Sequence, residues 1–474
     1  AEEEWKQRFN MLRIRRAVPT VIPSSVHVPL TNLNQFYSGL NRLKKRPIGL
    51  LGHVVSRSEC MVMPMVVSNE EKVIEYTFAL HTPREISNLA LSLGGKPGGG
   101  LGVWNAPYKN EILSKQEAEE IKERKKELDP KGILNPGMWL APPLLFRPSV
   151  YQSAMAVASG LDKVFPTSVG EPREQGSERE FAACVQCGYC MGYCPTKQQW
   201  LSTTPRGRIL MTKNLWNSKK VTRDYVESIF QCSLCGRCKV DCSVDIKSPG
   251  MWVDLRSELV KNGFELDSLK AITATIDETH NIAAKPNDQR AGWTRRLKLP
   301  YELEKKAGAE VIYFVGCLTS FYPMVQDIAR SFAQILDSAG IDFAILGGEE
   351  WCCGYPLISA GHKEAAAESM QHNIDRIKGM GAKSVVMTCP GCYRMWRDEY
   401  YNITGQKPPF DVSHSTEFIV RLMEQGKIRL VELNDSITYH DPCDLGRNSG
   451  IYNEPRHIIS KIPGLSFAEL EDNG

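Results

Sequence analysis

Two different periods of apolar and polar positions run along this chain, and the change from one to the other marks its organisation. In the first 137 residues, apolar stretches at 25–30, 47–54 and 60–67 have the alternation and β-branched content of strands. Residues 31–43 and 83–93 between and after them read as helices, the second with Ile86, Leu89, Ala90 and Leu93 on one face. A glycine cluster at 94–102 predicts a tight loop, and residues 115–128 predict a charged, solvated helix. Residues 138–172, with Ala141-Pro142-Pro143 and then a short amphipathic stretch, read as a linker packed over a neighbour. Helices are expected from Pro205 onward and over 223–230. From residue 309 the pattern turns into βα repeats: strand 310–315, helix 323–339, strand 342–346, helix 363–380, strand 383–387 and a last strand at 437–439. In the helix at 323–339, Val325, Ile328, Ala329, Phe332, Leu336 and Ala339 fall in register. Strands alternating with helices imply a parallel sheet covered on both faces. The fold class expected is multidomain, α+β followed by α/β, with segments 1–137, 138–172, 173–262, 263–308 and 309–474.

Composition narrows the function classes. With 474 residues, 42% hydrophobic and 24% charged, core size is not limiting. The 58 Lys and Arg against 55 Asp and Glu leave a charge of +3, too near neutral to point to nucleic acid. No apolar run reaches the roughly 18 to 20 residues a membrane-spanning helix needs; the nearest, 138–146, contains two prolines. The fifteen cysteines concentrate after residue 180 in metal-ligand spacings, which implies a reducing, cytoplasmic setting, with any membrane association made through a partner. Residue 1 is Ala, and the chain stops at Gly474 just after a motif that should continue, so both ends are expected to be truncated relative to a longer gene product.

The cysteines carry the chemistry. Cys184, Cys187, Cys190 and Cys194 stand at spacing C-x2-C-x2-C-x3-C with Pro195 following, and Cys232, Cys235, Cys238 and Cys242 repeat it with Ser243 in the proline position. A zinc site uses four ligands, usually as two C-x2-C pairs, and leaves the later cysteines of each run unexplained. Two [4Fe–4S] cubanes use all eight, because the first three cysteines of a run hold one cluster and the fourth crosses to the other. On that rule Cys184, Cys187, Cys190 and Cys242 bind one cubane, and Cys232, Cys235, Cys238 and Cys194 the second. Gly188, Gly192 and Gly236 are expected to let the backbone fold tightly and aim N–H groups at sulfur. Arg206 and Arg208 either screen cluster charge or face solvent.

Residues 129–137 read Asp129-Pro130-Lys131-Gly132-Ile133-Leu134-Asn135-Pro136-Gly137. The string resembles the end of the C-terminal cap of FAD-linked oxidases of the glycolate oxidase and D-lactate dehydrogenase type. That resemblance implies a ferredoxin-like α+β cap over a flavin, with Asn135, Gly99 and Gly100 near the FAD. The flavin-binding half of such proteins lies N-terminal to the cap, so the FAD is expected in a preceding half or in a partner chain. Members that oxidise 2-hydroxy acids place a metal on a "GHxGDGNxH" strand and a "GEHGIG" loop. Here Gly52 and His53 match the start of the first, Cys60 stands where its second His would be, and 98–102 keep the glycines but lose the Glu-His pair. The cap is therefore expected to bind no metal, and His53 to be structural.

The helices interleaved with the cysteine runs, and the "RAGWTRRL" string at 290–297, resemble the iron–sulfur subunits of glycolate oxidase, the C-type subunit of anaerobic glycerol-3-phosphate dehydrogenase and the D-type subunit of heterodisulfide reductase. Cys317, Cys352, Cys353, Cys389, Cys392 and Cys443 each fall just past an expected strand, at the sheet edge where open α/β sheets place ligands. Their order is Cys317, 34 residues, Cys352-Cys353-Gly354, then Cys389-Pro390-Gly391-Cys392. It resembles the "CCG" domain of heterodisulfide reductases and the glycolate oxidase group. The resemblance implies a non-cubane [4Fe–4S] cluster, since five thiolates are one more than a cubane uses. His440-Asp441-Pro442-Cys443 begins a second copy, similar to "HDPCHLGR" with Asp444 in the His position.

Cap, two cubanes and a thiolate-rich domain together imply an oxidoreductase that moves electrons between a flavin site and a thiol, disulfide or quinone-linked acceptor, with no catalytic side chain singled out. Two other readings stand beside it. One is a disulfide reductase acting at the CCG cluster, and the other a non-catalytic relay subunit partnered by an electron-transfer flavoprotein, a hydrogenase or a membrane quinone-reactive subunit.

Overall fold

The computed structural model describes residues 10–18, 20–43, 46–70, 72–98, 103–134, 144, 147–164, 176–218, 220–299, 302–306, 308–471 and 473. The chain divides into two compact bodies, Ala1–Cys187 with Ser243–Ile246, and Gly188–Cys242 with Lys247–Gly474.

In the first body one long strand organises an antiparallel sheet. Strand β4 (Glu59–Ser68) pairs along one edge with β3 (Ile48–Val54), Val66 opposite Ile48 and Cys60 opposite Val54. Its other edge is shared by β2 (Val26–Pro29) and β1 (Thr20–Pro23), and β5 (Lys96–Pro97) closes the row beside β2. Val26 and Val28 alternate with half-buried neighbours and point into a core with Val62 and Val66. Helices Leu33–Arg42 and Thr82–Ser92 supply Phe36, Leu40, Ile86 and Ala90 to that core. The i, i+4 spacing of each pair makes one stripe per helix.

The stretch read as a linker holds a 17-residue helix, Pro148–Val164. Polar contacts fasten it. Both oxygens of buried Asp162 accept from the Arg46 guanidinium at 2.7 Å, and His81 Nε2 stands 3.2 Å from the same carboxylate. A burial pattern led by an aspartate and Tyr151 does not show as a hydrophobic stripe, which is why the periodicity missed its length.

The second body carries a four-stranded sheet, β7 (Phe343–Ala344), β6 (Val311–Phe314), β8 (Ser384–Met387) and β9 (Asp411–His414), every pair parallel. All four residues of β6 are buried, as expected for a strand covered on both sides. Tyr313, Val315, Phe343, Ile345 and Val386 pack with Ala329, Phe332, Ala333 and Leu336 of helix Gln326–Ser338. Phe314, facing the other way, meets Trp396 edge-on at 5.3 Å.

The expected strand at 437–439 belongs elsewhere. Strand β10 (Ser436–Ile437) pairs in parallel with β11 (Ser466–Phe467) in a separate two-stranded sheet. Five cysteines, not six, therefore follow the strands of the main sheet. Among the described residues no helix is long and apolar enough to cross a membrane.

Candidate iron–sulfur centres

The two cysteine runs repeat a backbone as well as a spacing. Gln186 (φ 58°) and Gly188 (φ 87°) in the first correspond to Leu234 (φ 56°) and Gly236 (φ 75°) in the second, all left-handed. Non-glycine residues adopt this region at a cost, so two of them at matched positions mark a loop shaped for what it surrounds. The Leu234 N–H turns back towards the Cys232 sulfur. Of the three glycines expected to be needed, Gly192 has an ordinary right-handed backbone (φ −60°), and Gln186 and Leu234 take the special role.

In the second body Cys194, Cys232, Cys235 and Cys238 line one cavity, together with Pro195, Thr196, Arg208 and Trp252. It encloses about 320 Å³ of empty space, part of it open to solvent. The fourth cysteine of the first run thus stands with the first three of the second, which suits a cluster bound by the crossed set. Hydroxyls serve the sulfurs: Ser248 Oγ lies 3.0 Å from Cys238 Sγ, and Thr196 Oγ1 3.4 Å from Cys194 Sγ. Burial pushes the Cys238 thiol up to about 12, so without a metal it stays protonated.

Arg208 has no exposure, donating to Ser228 O at 2.6 Å and Thr196 Oγ1 at 3.1 Å. It does not face solvent, and it lines the same cavity as the four cysteines. Arg256, also buried, gathers the carbonyls of Ile229, Phe230 and Cys232. Nothing in the sequence singles it out, because these partners lie at least 24 residues away.

Of the first set, Cys190 lies in the second body within electrostatic reach of Cys238, and Cys242 lies there too. Cys184 and Cys187 belong to the first body, where Cys187 Sγ is 3.6 Å from Ser243 Oγ.

At the C-terminal edge of the main sheet, sulfurs form a continuous row. Cys317 contacts Cys352, Cys352 contacts Cys353, Cys353 contacts Cys392, and Cys392 contacts Cys389. All but Cys389 are buried. Hydrogen bonds from Cys352 and Cys392 draw the Cys353 thiol below its usual range, and the bond from Cys392 does the same for Cys389. The proton-donating members, Cys317, Cys352 and Cys392, are pushed up. A metal bound by this row would have to displace the shared protons.

Behind the row sits a buried ion pair. Glu350 has no exposure; it accepts from the N–H groups of Val315 and Gly316 at 2.9 and 2.8 Å and pairs with Arg290 at 2.9 Å. Burial raises the Glu350 pKa, opposed by Arg290 and those two N–H groups. Arg290 in turn donates to Cys317 Sγ at 3.6 Å. The first residue of the "RAGWTRRL" string thus touches the sulfur row, a role its sequence position alone does not show. Beside Cys352, Trp351 is stacked between His280 (3.7 Å) and His372 (3.8 Å), and the His280 carbonyl accepts from the Cys352 N–H at 2.8 Å.

Cys443 does not join the row; it lies within electrostatic reach of Cys235. Among the described residues none of the fifteen cysteines forms a disulfide, and no three His, Cys, Asp or Glu side chains gather as a ligand set for a single metal ion. In the first body Cys60 is a buried core residue of β4, while His53 is exposed on β3 opposite Met61. Gly99, Gly100 and Asn135, the expected flavin neighbours, lie outside the described residues.

Three family models match the chain: "FAD linked oxidases, C-terminal domain" over 1–139, "4Fe-4S dicluster domain" over 180–246, and "Cysteine-rich domain" over 311–397 and 437–474. The chain is 32% identical over 315 residues to the D-type subunit of the dihydromethanophenazine:CoB–CoM heterodisulfide reductase of Methanosarcina barkeri, covering 62% of this chain and 75% of that one. It is 27% identical to the probable iron–sulfur-binding oxidoreductase FadF of Bacillus subtilis, covering 68% of this chain and 54% of the relative. A third relative, the EtfAB:quinone oxidoreductase of Syntrophomonas wolfei, is 28% identical, with 52% and 35% covered. No solved structure matches. With its dicluster and cysteine-rich segments, the chain belongs to the family of the D-type subunit of heterodisulfide reductases and is an iron–sulfur oxidoreductase of electron transfer.

Proposed function

We propose that the chain holds three iron–sulfur clusters and passes electrons between a flavin site and a thiol, disulfide or quinone-linked partner. Cys184, Cys187, Cys190 and Cys242 would hold one cubane, Cys194, Cys232, Cys235 and Cys238 the second, and Cys317, Cys352, Cys353, Cys389 and Cys392 a non-cubane cluster. The observation that carries this reading is the joint lining of one cavity by Cys194 and the first three cysteines of the other run. Bound there, the clusters would supply one-electron uptake and release, at potentials from about −700 to +450 mV according to charge, hydrogen bonding and exposure. The protein's part is to keep water away and hold fixed charge. Arg208, Arg256 and Arg290, all buried, place guanidinium groups beside or behind the cysteine sets, where positive charge favours the reduced form. The flavin would be supplied by a preceding segment or a partner chain, and the partner would be another redox subunit. The test is anaerobic reduction of the loaded protein by a reduced electron-transfer flavoprotein, followed by EPR. Cluster signals that appear at the rate of flavin oxidation support the reading; flavin that stays reduced beside fully loaded clusters counts against it.

A second reading, favoured by the 32% identity to a heterodisulfide reductase subunit, puts disulfide reduction at the five-cysteine row. There the S–S bond of an unsymmetrical disulfide would break, taking two electrons and two protons to give two thiols. It predicts that the disulfide, but neither product thiol alone, perturbs the EPR signal of that row.

A further inference from the structure

The segment that begins the second copy of the cysteine-rich motif does something its own cysteine does not explain. From Asp444 to Asn448 it lies against the loop of the second cysteine run and reaches the main sheet's cysteine row within the same body. On one side Arg447 Nε donates to the Cys235 carbonyl at 3.0 Å, and Asn448 Nδ2 donates to the Leu234 carbonyl at 3.2 Å. The approach is so close that a Cβ on residue 236 would lie 2.3 Å from Asn448 Oδ1, so only glycine admits it. That Oδ1 is buried and without a hydrogen-bond partner. On the other side, Asp444 Oδ1 accepts from the same Asn448 amide at 2.9 Å and from Arg394 at 3.0 Å. Arg394 closes the short helix Pro390–Arg394 that carries Cys392, and Asp444 lies within electrostatic reach of Cys389 and Tyr355. A Cβ on residue 391 would meet the Tyr355 ring at 3.6 Å.

We propose that Arg447, Asn448 and Asp444 are positioning residues that hold the Leu234–Gly236 loop and couple its cysteine set electrostatically to the five-cysteine row. Arg447 would set the reduction potential of the group held by Cys194, Cys232, Cys235 and Cys238. Asp444, shared between the two sides, holds the midpoints of both sets down together. The proposal rests on the iron–sulfur reading of both sets. Its physics is simple: reduction adds one negative charge, which a nearby guanidinium favours and a nearby carboxylate opposes.

The experiment is an EPR-monitored redox titration of the anaerobically isolated full chain, with iron and sulfide counted per chain. The signal lost in Cys194→Ser identifies the set of Cys194, Cys232, Cys235 and Cys238. Arg447→Gln should move that set's midpoint to more negative potential with iron content unchanged, and Arg447→Lys should restore it. Asp444→Asn should move the midpoints of both sets to more positive potential. Fully loaded variants whose midpoints equal the wild type overturn the proposal, and a shift of one set alone in Asp444→Asn overturns the coupling. Should Arg447→Gln lose iron, Asp444→Asn decides, because it leaves the Arg447–Cys235 hydrogen bond in place. A wild-type chain without iron would instead sink the reading beneath the proposal.

Discussion

Arg290 and Glu350 show what single side chains do at the cysteine row. Each is almost fully buried, and each has the other as its counter-ion. A buried pair contributes little net stability compared with an apolar pair, yet removing one partner leaves a stranded charge. Glu350→Leu should therefore cost about 3–5 kcal/mol in chemical denaturation, with the double variant Arg290→Met/Glu350→Leu recovering much of it. A double variant no better than the single one would mean that the pair matters for something other than charge balance. Cys194→Ser tests the crossed ligand set: it should abolish the cluster otherwise held by Cys232, Cys235 and Cys238 while the other cubane signal survives. Loss confined to the earlier cubane would refute the crossing. The cysteines were legible from sequence because ligand spacing in tight loops is local. Arg290 and Arg256 were not, since a guanidinium paired across 60 residues or reaching back 24 leaves no local trace.

Among the elements, helix Pro148–Val164 depends on a cluster of charges. His81 stands 3.2 Å from Glu85 through Nδ1 and 3.2 Å from Asp162 through Nε2, with Arg46 and Glu75 alongside and Ser159 on Glu85. Burial presses the His81 pKa down, but the two carboxylates outweigh it and the net shift is upward. A raised histidine pKa contributes stability that is fully present below the unfolded value of about 6.5 and is lost as pH rises through the folded value. Hydrogen exchange of 148–164, corrected for its intrinsic dependence on pH, should accordingly quicken as the pH rises above about 6.5, and His81→Gln should flatten that dependence. A profile equally steep in His81→Gln would assign it to another group. Strands β6, β7 and β8 of the parallel sheet were readable because burial on both faces writes apolar runs, whereas β9, with the polar sequence Asp-Val-Ser-His, was not. Helix 148–164 was not, its fastening being polar, and β10, at two residues, was too short for the period to reveal its partner.

For the molecule as a whole, order along the chain outlines the function: a segment like the cap of FAD-linked oxidases, a dicluster unit, then the cysteine-rich domain. The cysteine sets differ in what else holds them. The five-cysteine row stands on a sheet with its own apolar core, whereas the loops around Cys194, Cys232, Cys235 and Cys238 enclose a cavity. Stripping iron with a chelator should therefore loosen the cysteine-run loops first and leave the parallel sheet folded, read by hydrogen exchange across the two regions. Uniform loss of protection would contradict that ranking. The most direct measurement is iron and acid-labile sulfide per chain in anaerobically isolated protein. The expected result is a brown protein with about twelve of each, about eight from two cubanes and about four from the five-cysteine row; colourless protein carrying zinc would contradict it.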